Sequence, residues 1–403
     1  MKNILFVSYD GLTDQLGQSQ ILPYIISLTS QGYSFSIISF EKEDALYSQS
    51  EIQEIAAANN ISWYPLSYTK CPPVISTIFD VYRMLRLAEK VVIDASIDTI
   101  HARSYISALA GLKLKNKLGT KFIFDMRGFW ADERVDGKLW NLSNPLFDWV
   151  YRYFKRKEVD FLINADYTIS LTNAGAKEML NWRSSERFSP VSIIPCSVDT
   201  DLFSPDKIDQ TTLDEYRVRT GIDKSHKVLT YLGSIGTWYM LDEMLDFYSE
   251  LKSRDSSWKF LFLTREKELV LSAIKTKNLD KNDFFIFQAQ RTEVPKYLSL
   301  TDWGIFFIRP DYSKISSSPT KQGELMSMGI PIVTNSGVGD VAEIVEGNNA
   351  GVIVDVSLMN EGVEKMVQMN YEKSLIRKSA IQLFDLKTAV ASYANVYEQT
   401  LRK

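Results

Sequence analysis

The sequence is short of the residues that usually announce a chemistry. Two cysteines, Cys71 and Cys196, stand far apart in 403 residues, which excludes a disulfide framework and a paired-cysteine zinc site. Two histidines in the whole chain, with no H-E-x-x-H spacing, leave no expected metal centre. No apolar run reaches the roughly 18 residues that a membrane-spanning helix needs. The opening MKNILFVSYDG is too short, and lacks the cleavage site, for a secretory signal, so a reducing, cytoplasmic setting is expected. A net charge of -4 gives no electrostatic footprint for nucleic acid. The loop after the first apolar segment, SYDGLTDQLGQSQ, is not G-x-G-x-x-G, and P-loop spacing is also missing. Both absences argue against a nicotinamide, flavin or P-loop nucleotide.

What is present is a strict alternation. NILFVSY, SFSIISF, DTIHARS, KFIFDMR, DYTISLT and VSIIPCS are short, continuously apolar segments separated by amphipathic stretches of helical length. The pattern repeats with KVLTYLGS, WKFLFLT, DFFIFQAQ, WGIFFIRP, PIVTN and GVIVD. Continuous apolar strands alternating with helices predict parallel sheets covered on both faces. The fold class expected is therefore α/β, with two doubly wound domains facing across a cleft. One spans 1–200, with a final helix from 387 to 403 packing back on it, and the other spans 201–386. VDTDLFSPDKIDQTT, polar and proline-containing, reads as the linker. Such sheets bind ligands at the carboxyl ends of their strands, so every loop after a strand is a candidate.

The loop SSSPTKQGE (316–324) carries the most concentrated signal. Ser318 suits an N-cap and Pro319 the first helical position, predicting a helix from there to Gly329. Lys321 then falls in the first turn, where the backbone amides and the helix dipole favour an anion, and Glu324 lies on the same face. SGVGD, after the next strand, is a second glycine-containing loop that backbone can use to approach a ligand. Two readings remain at this level: a capped surface helix with a Lys–Glu pair, or an anion site.

TKQGELMSMGIPIVTNSGVGD resembles the donor-binding signature of family-4-type glycosyltransferases of the GT-B fold. VSYDGLTDQLGQSQILPYI, IHARSY, FDMRGFWADE, ADYTISLTNAG and IIPCSVDTDLFSP resemble further segments of that family, in the right order over nearly the whole chain. The resemblance points to members that assemble capsule, O-antigen or other surface polysaccharides. It implies a retaining, metal-independent transfer of a sugar from a nucleoside diphosphate donor to a glycan or lipid-linked acceptor, with no further cofactor. Carried over by motif, Glu324 holds the donor ribose. Ser317, Ser318, Lys321, Gly337 and Gly17, with Arg309 and Lys314 nearby, lie on the donor side. Asp10, Gln18, Arg103, Arg127 and Trp130 face the acceptor, and Asp125, Arg127 and Glu324 stand at the reacting centre.

The chain also departs from that pattern. Ser316 replaces a glutamate that many members carry, and GSIGTWYMLDE, with Ser234 and Tyr239, stands where an arginine and a lysine are usual. Asp125 and Arg127 flank the position of a common histidine; they fit either an anion clamp or a structural ion pair. His101 reads as a strand-end core histidine, and Asp132 with Glu133 as a solvated helix start. Asp199-Thr200-Asp201 spells the D-x-D of a metal site in another transferase fold, but in a segment that is metal-free in GT-B relatives. The basic, aromatic stretch NPLFDWVYRYFKRKEVDFLINA has two readings. One is an ordinary amphipathic helix with its charges in water; the other is a peripheral contact with an anionic membrane at its inner face. Rival functions are a sugar-nucleotide 2-epimerase of the same fold and a non-catalytic partner protein.

Overall fold

The computed structural model describes residues 2–43, 45, 47–182 and 187–402. It forms two compact units, Met1–Pro195 with Leu386–Lys403, and Cys196–Asp385.

The first unit is built on β1 (Lys2–Ser8), β2 (Tyr33–Glu41), β3 (Ser62–Ser67), β4 (Thr99–Arg103), β5 (Lys121–Asp125), β6 (Tyr167–Ser170) and β7 (Val191–Ile193). All pair in parallel, in the order β3-β2-β1-β4-β5-β6-β7. The continuously apolar segments are the central strands; β4 is buried at every position. β3 does not stand out in the sequence because SWYPLS has one buried position, Trp63, beside three exposed ones, and contains Pro65, as an edge strand can. Register fixes the site: Ser8 lies beside Arg103, and Arg103 beside Asp125, so the last residues of three strands share one edge. The final helix, Leu386–Arg402, belongs to this unit and buries Val390, Tyr393, Val396 and Tyr397 in its core.

The second unit contains β8 (Lys227–Leu232), β9 (Trp258–Leu263), β10 (Phe284–Phe287), β11 (Trp303–Phe306), β12 (Ile332–Thr334) and β13 (Gly351–Ile353). They form a parallel sheet in the order β10-β9-β8-β11-β12-β13. The order reverses between β8 and β11, the topological switch point where doubly wound sheets hold ligands.

The helix after β11 corrects one expectation. It spans Thr320–Ser327, with Pro319 outside it in extended backbone and no side chain capping it. Ser318 does not cap because its hydroxyl accepts the Cys196 amide at 3.2 Å. Nor is this a surface helix: residues 321–327 are all buried.

Candidate active site

In the second unit, the loop after β8 folds back over the end of β11. Tyr239 bridges Ile308, the Met240 amide donates to the Phe307 carbonyl at 3.0 Å, and the Arg309 amide donates to the Trp238 carbonyl at 2.9 Å. These bonds hold two aromatic rings at the switch point. The buried Lys321 ammonium lies 3.6 Å from the centre of the Tyr239 ring and 4.1 Å from that of Tyr231, and donates to the Tyr231 hydroxyl at 3.0 Å. Gly233, at φ 108°, makes room for it, since a Cβ there would meet Nζ at 3.3 Å. Burial drives the Lys321 pKa well below the ordinary lysine value, against the opposing pull of Glu324 and Glu266. Trp238 serves two more cations: Lys314 Nζ is 3.5 Å above its ring and the Arg309 guanidinium 5.1 Å from it.

Three cationic side chains are thus gathered on aromatic faces at the carboxyl ends of β8 and β11. Aromatic rings attract cations without neutralising them; Arg309 is in addition ion-paired with Asp311. Tyr231 and Trp238 were not singled out from the sequence, because their role depends on contacts with residues some 70 to 90 positions away. Tyr239, one of the residues in place of the usual arginine and lysine, is part of the cage.

Glu324 does not pair with Lys321. Arg291, from the loop after β10, donates to its Oε1 at 2.9 Å. Asn335, at the end of β12, accepts from the Ile308 amide and donates to the Ile308 carbonyl, both at 2.8 Å. That pair of hydrogen bonds ties the SGVGD loop, with Gly337, to the end of β11. Ser316 is buried and donates to the Ser313 carbonyl at 3.1 Å, while the Ser317 amide donates to Lys314 at 3.0 Å.

In the first unit, Asp125 is buried among four donors. His101 Nε2 lies 3.3 Å and the Tyr393 hydroxyl 3.4 Å from Oδ2, while Arg103 and Arg127 each approach within 4.0 Å. Burial raises the Asp125 pKa, but Arg127, His101 and Arg103 outweigh it and hold the carboxyl below its usual range. Burial also keeps His101 low, and its Nδ1 lies 2.7 Å from the Tyr397 hydroxyl. An ionised Asp125 beside a neutral imidazole follows. His101 is a core residue with 1% exposure. Arg127 holds a φ of 56°, a conformation unusual for a non-glycine residue. Arg103 also reaches Asp10, at 3.5 Å. Two guanidinium groups therefore converge on the buried Asp125 carboxylate, and one of them, Arg103, also reaches the half-exposed Asp10.

The other first-unit candidates do different work. Gln18 donates to the Leu12 carbonyl at 2.8 Å, and Trp130 packs against Tyr105, Trp140 and Phe154. Gly17 lies against the turn after β1: a Cβ there would sit 2.3 Å from the Gly11 carbonyl and 2.6 Å from Leu12 Cα. Glu41, which carries no motif, fixes the same turn from the end of β2. It accepts from the Leu12 and Thr13 amides and from the Thr13 and Ser39 hydroxyls. Gly17→Ala should displace this turn, costing about 1–3 kcal/mol of stability; a wild-type denaturation midpoint would show that the turn simply yields.

Asp199 accepts from the amides of Asp201 and Leu202 at 3.0 and 2.9 Å, which makes it a turn residue. Among the described residues no acidic, histidine or cysteine group could hold a metal ion, and no helix is long and apolar enough to cross a membrane.

Asp132 is not solvated. It is buried, accepting from Tyr151 at 2.8 Å and from Lys155 at 2.7 Å. Lys155 also contacts Glu158, and Arg152 and Lys157 pair with Asp148 and Asp160, so much of the basic charge of helix Pro145–Asn164 is matched by its neighbours. Burial, the largest influence, pushes Glu158 up to about 7 against the opposing Lys155 charge. A carboxyl whose pKa is raised on folding contributes stability fully below its unfolded value, and that contribution is lost as pH rises through 7. The melting temperature should therefore fall between about pH 5 and pH 8, and Glu158→Gln should flatten that fall. Parallel profiles for the two proteins would contradict the assignment.

Residues 25–202 match the family described as Glycosyltransferase Family 4, and residues 213–381 match Glycosyl transferases group 1. No curated protein matches the chain significantly. Among solved structures, it resembles the sucrose-phosphate synthase of Thermosynechococcus elongatus with a TM-score of 0.76 and 13% identity, covering 100% of both chains. It resembles Anabaena Alr3699/HepE in complex with UDP and glucose with a TM-score of 0.70 and 13% identity, covering 99% of each chain. The S. aureus MnaA–UDP structure follows at 0.60 and 11%, covering 100% of this chain and 97% of that one. At these identities the structural likeness shows the fold alone. Taken with the family matches, it makes this chain a glycosyltransferase-type enzyme of the GT-B fold, related to the family-4 and group-1 glycosyltransferases.

Proposed function

We propose that the protein is a retaining glycosyltransferase that moves a sugar from a nucleoside diphosphate sugar to an acceptor hydroxyl, in the assembly of a surface polysaccharide such as capsule or O-antigen. The observation that carries this reading is the buried Lys321 in its tyrosine cage at the switch point, with Lys314 and Arg309 on Trp238 beside it. Such a cluster of cationic side chains suits a ligand with the charge of a diphosphate. In this reading Glu324, which accepts from Arg291, also accepts from the ribose hydroxyls. In a front-face transfer the departing diphosphate takes the proton of the incoming hydroxyl, so the protein's task is to hold and neutralise that group. Arg103 and Arg127 fit an acceptor that carries a phosphate or carboxylate, as a lipid-linked glycan does.

A thermal-shift screen with UDP-, GDP-, dTDP- and CMP-sugars identifies the donor, and incubation with that donor tests the reaction. Stabilisation by none of them would defeat the reading. A second reading, a sugar-nucleotide 2-epimerase, rests on the fold shared with the structure of a putative UDP-N-acetylglucosamine 2-epimerase from Listeria monocytogenes, at a TM-score of 0.56 and 10% identity. It predicts a changed sugar nucleotide with no acceptor present. Transfer should also survive excess EDTA, because Asp199 is engaged in a turn. Loss of turnover restored by manganese or magnesium would return Asp199 and Asp201 as ligands.

A further inference from the structure

The helix Ile75–Asp94 is inside out over its first turns. The positions facing the protein include Ser76 and Asp80, both buried. Asp80 is fully occupied there, accepting from the Tyr9 hydroxyl at 3.0 Å, from the Thr69 amide and hydroxyl at 3.0 and 2.8 Å, and from Arg83 at 3.3 Å. The outward positions are apolar: Ile75, Ile78, Phe79 and Tyr82 are 64%, 62%, 52% and 52% exposed. Their spacing of i, i+3, i+4 and i+7 makes one continuous stripe. A helix that turns its carboxylate inward and its isoleucines outward is not built for water on that face.

Charge says what covers it. From Ile75 to Ala88 the single acidic residue is the buried Asp80, which pairs with Arg83 at 3.3 Å. Arg83 and Arg86 flank the stripe, their guanidinium groups lying 5.4 Å from the Phe79 ring and 5.1 Å from the Tyr82 ring, and it is Arg86 that adds positive charge to this face. An apolar stripe bordered by arginines is the chemistry of a helix lying in an anionic lipid interface. A second copy of the chain fits worse, since a twofold contact through this stripe brings like charges together. Helix Ser104–Leu118 packs against this helix on one side and against Pro145–Asn164 on the other, so Leu146 and Trp149, 49% and 61% exposed, belong to the same helical layer. Helix Ile75–Asp94 follows β3, and helix Pro145–Asn164 follows β5 after the short helix Trp130–Asp136.

We infer that the outward face of residues 75–86 docks the protein on an anionic membrane surface, with Ile75, Ile78, Phe79 and Tyr82 entering the headgroup region and Arg86 meeting lipid phosphates. The test is flotation of the full-length protein with vesicles of phosphatidylcholine alone, or mixed with phosphatidylglycerol. The wild type should float with the mixed vesicles and not with the neutral ones. The double variant Ile78→Glu, Phe79→Glu should weaken partitioning by about tenfold or more with an unchanged melting temperature, because both side chains are exposed. Arg86→Glu, a second and milder change, should weaken binding to the mixed vesicles and lessen its salt dependence. Failure of the wild type to float, or undiminished flotation of the double variant and of Arg86→Glu, would overturn the inference. So would a wild-type dimer in light scattering that the double variant splits, which would assign the face to a second copy.

Discussion

Lys321→Met should lower affinity for a nucleoside diphosphate by roughly 1.5–3 kcal/mol, about ten- to hundredfold, and leave affinity for the free nucleoside nearly unchanged. The ammonium sits in the tyrosine cage with its charge uncompensated by a direct carboxylate contact, since Glu324 is engaged by Arg291. Methionine fills the same space and removes the desolvation burden that lowers the lysine pKa, so the fold should not suffer. Glu324→Gln should show the opposite pattern, weakening the nucleoside itself, because a carboxylate accepting ribose hydroxyls makes charge-assisted bonds. Calorimetric titrations of nucleoside and nucleoside diphosphate into both variants separate the roles. Equal losses for the two ligands in Lys321→Met would remove the lysine from the phosphate site.

The second large effect is expected at Arg127. Arg127→Lys keeps the charge but loses the planar fork, so transfer at saturating donor should fall by about a hundredfold while nucleotide affinity holds. Asp125→Asn should give a smaller loss of the same kind, since Arg127 and Arg103 both lean on that carboxylate. Wild-type transfer rates in both folded variants would make the pair structural, an ion pair at a strand end.

Much of this architecture is legible in the sequence because buried parallel strands are written as continuous apolar runs. All six strands of the second sheet stand out, as do six of the first; β3 does not, because an edge strand with Pro65 and three exposed positions lacks that run. Lys321 and Glu324 are visible because helix geometry fixes short-range neighbours. Their partners are not. Tyr231, Trp238 and Arg291 reach them from other strands and loops, and no local pattern encodes a cation held on a distant ring. The same limit hid Glu41 and Asp132, carboxylates whose burial depends on donors from remote segments. The capping expectation at Ser318 failed for the same kind of reason: the hydroxyl is taken by Cys196, far away in sequence.

The central claim is transfer of a sugar from a nucleoside diphosphate donor held around Lys321 and Glu324. The most direct measurement is mass spectrometry of a membrane-lipid and glycan extract incubated with the protein and the donor found in the thermal-shift screen. The account predicts an acceptor species heavier by one sugar residue, matched by release of the nucleoside diphosphate and lost in Lys321→Met at limiting donor. A sugar nucleotide rearranged in the absence of any acceptor, or no acceptor gain with Lys321→Met binding donor like the wild type, would contradict it.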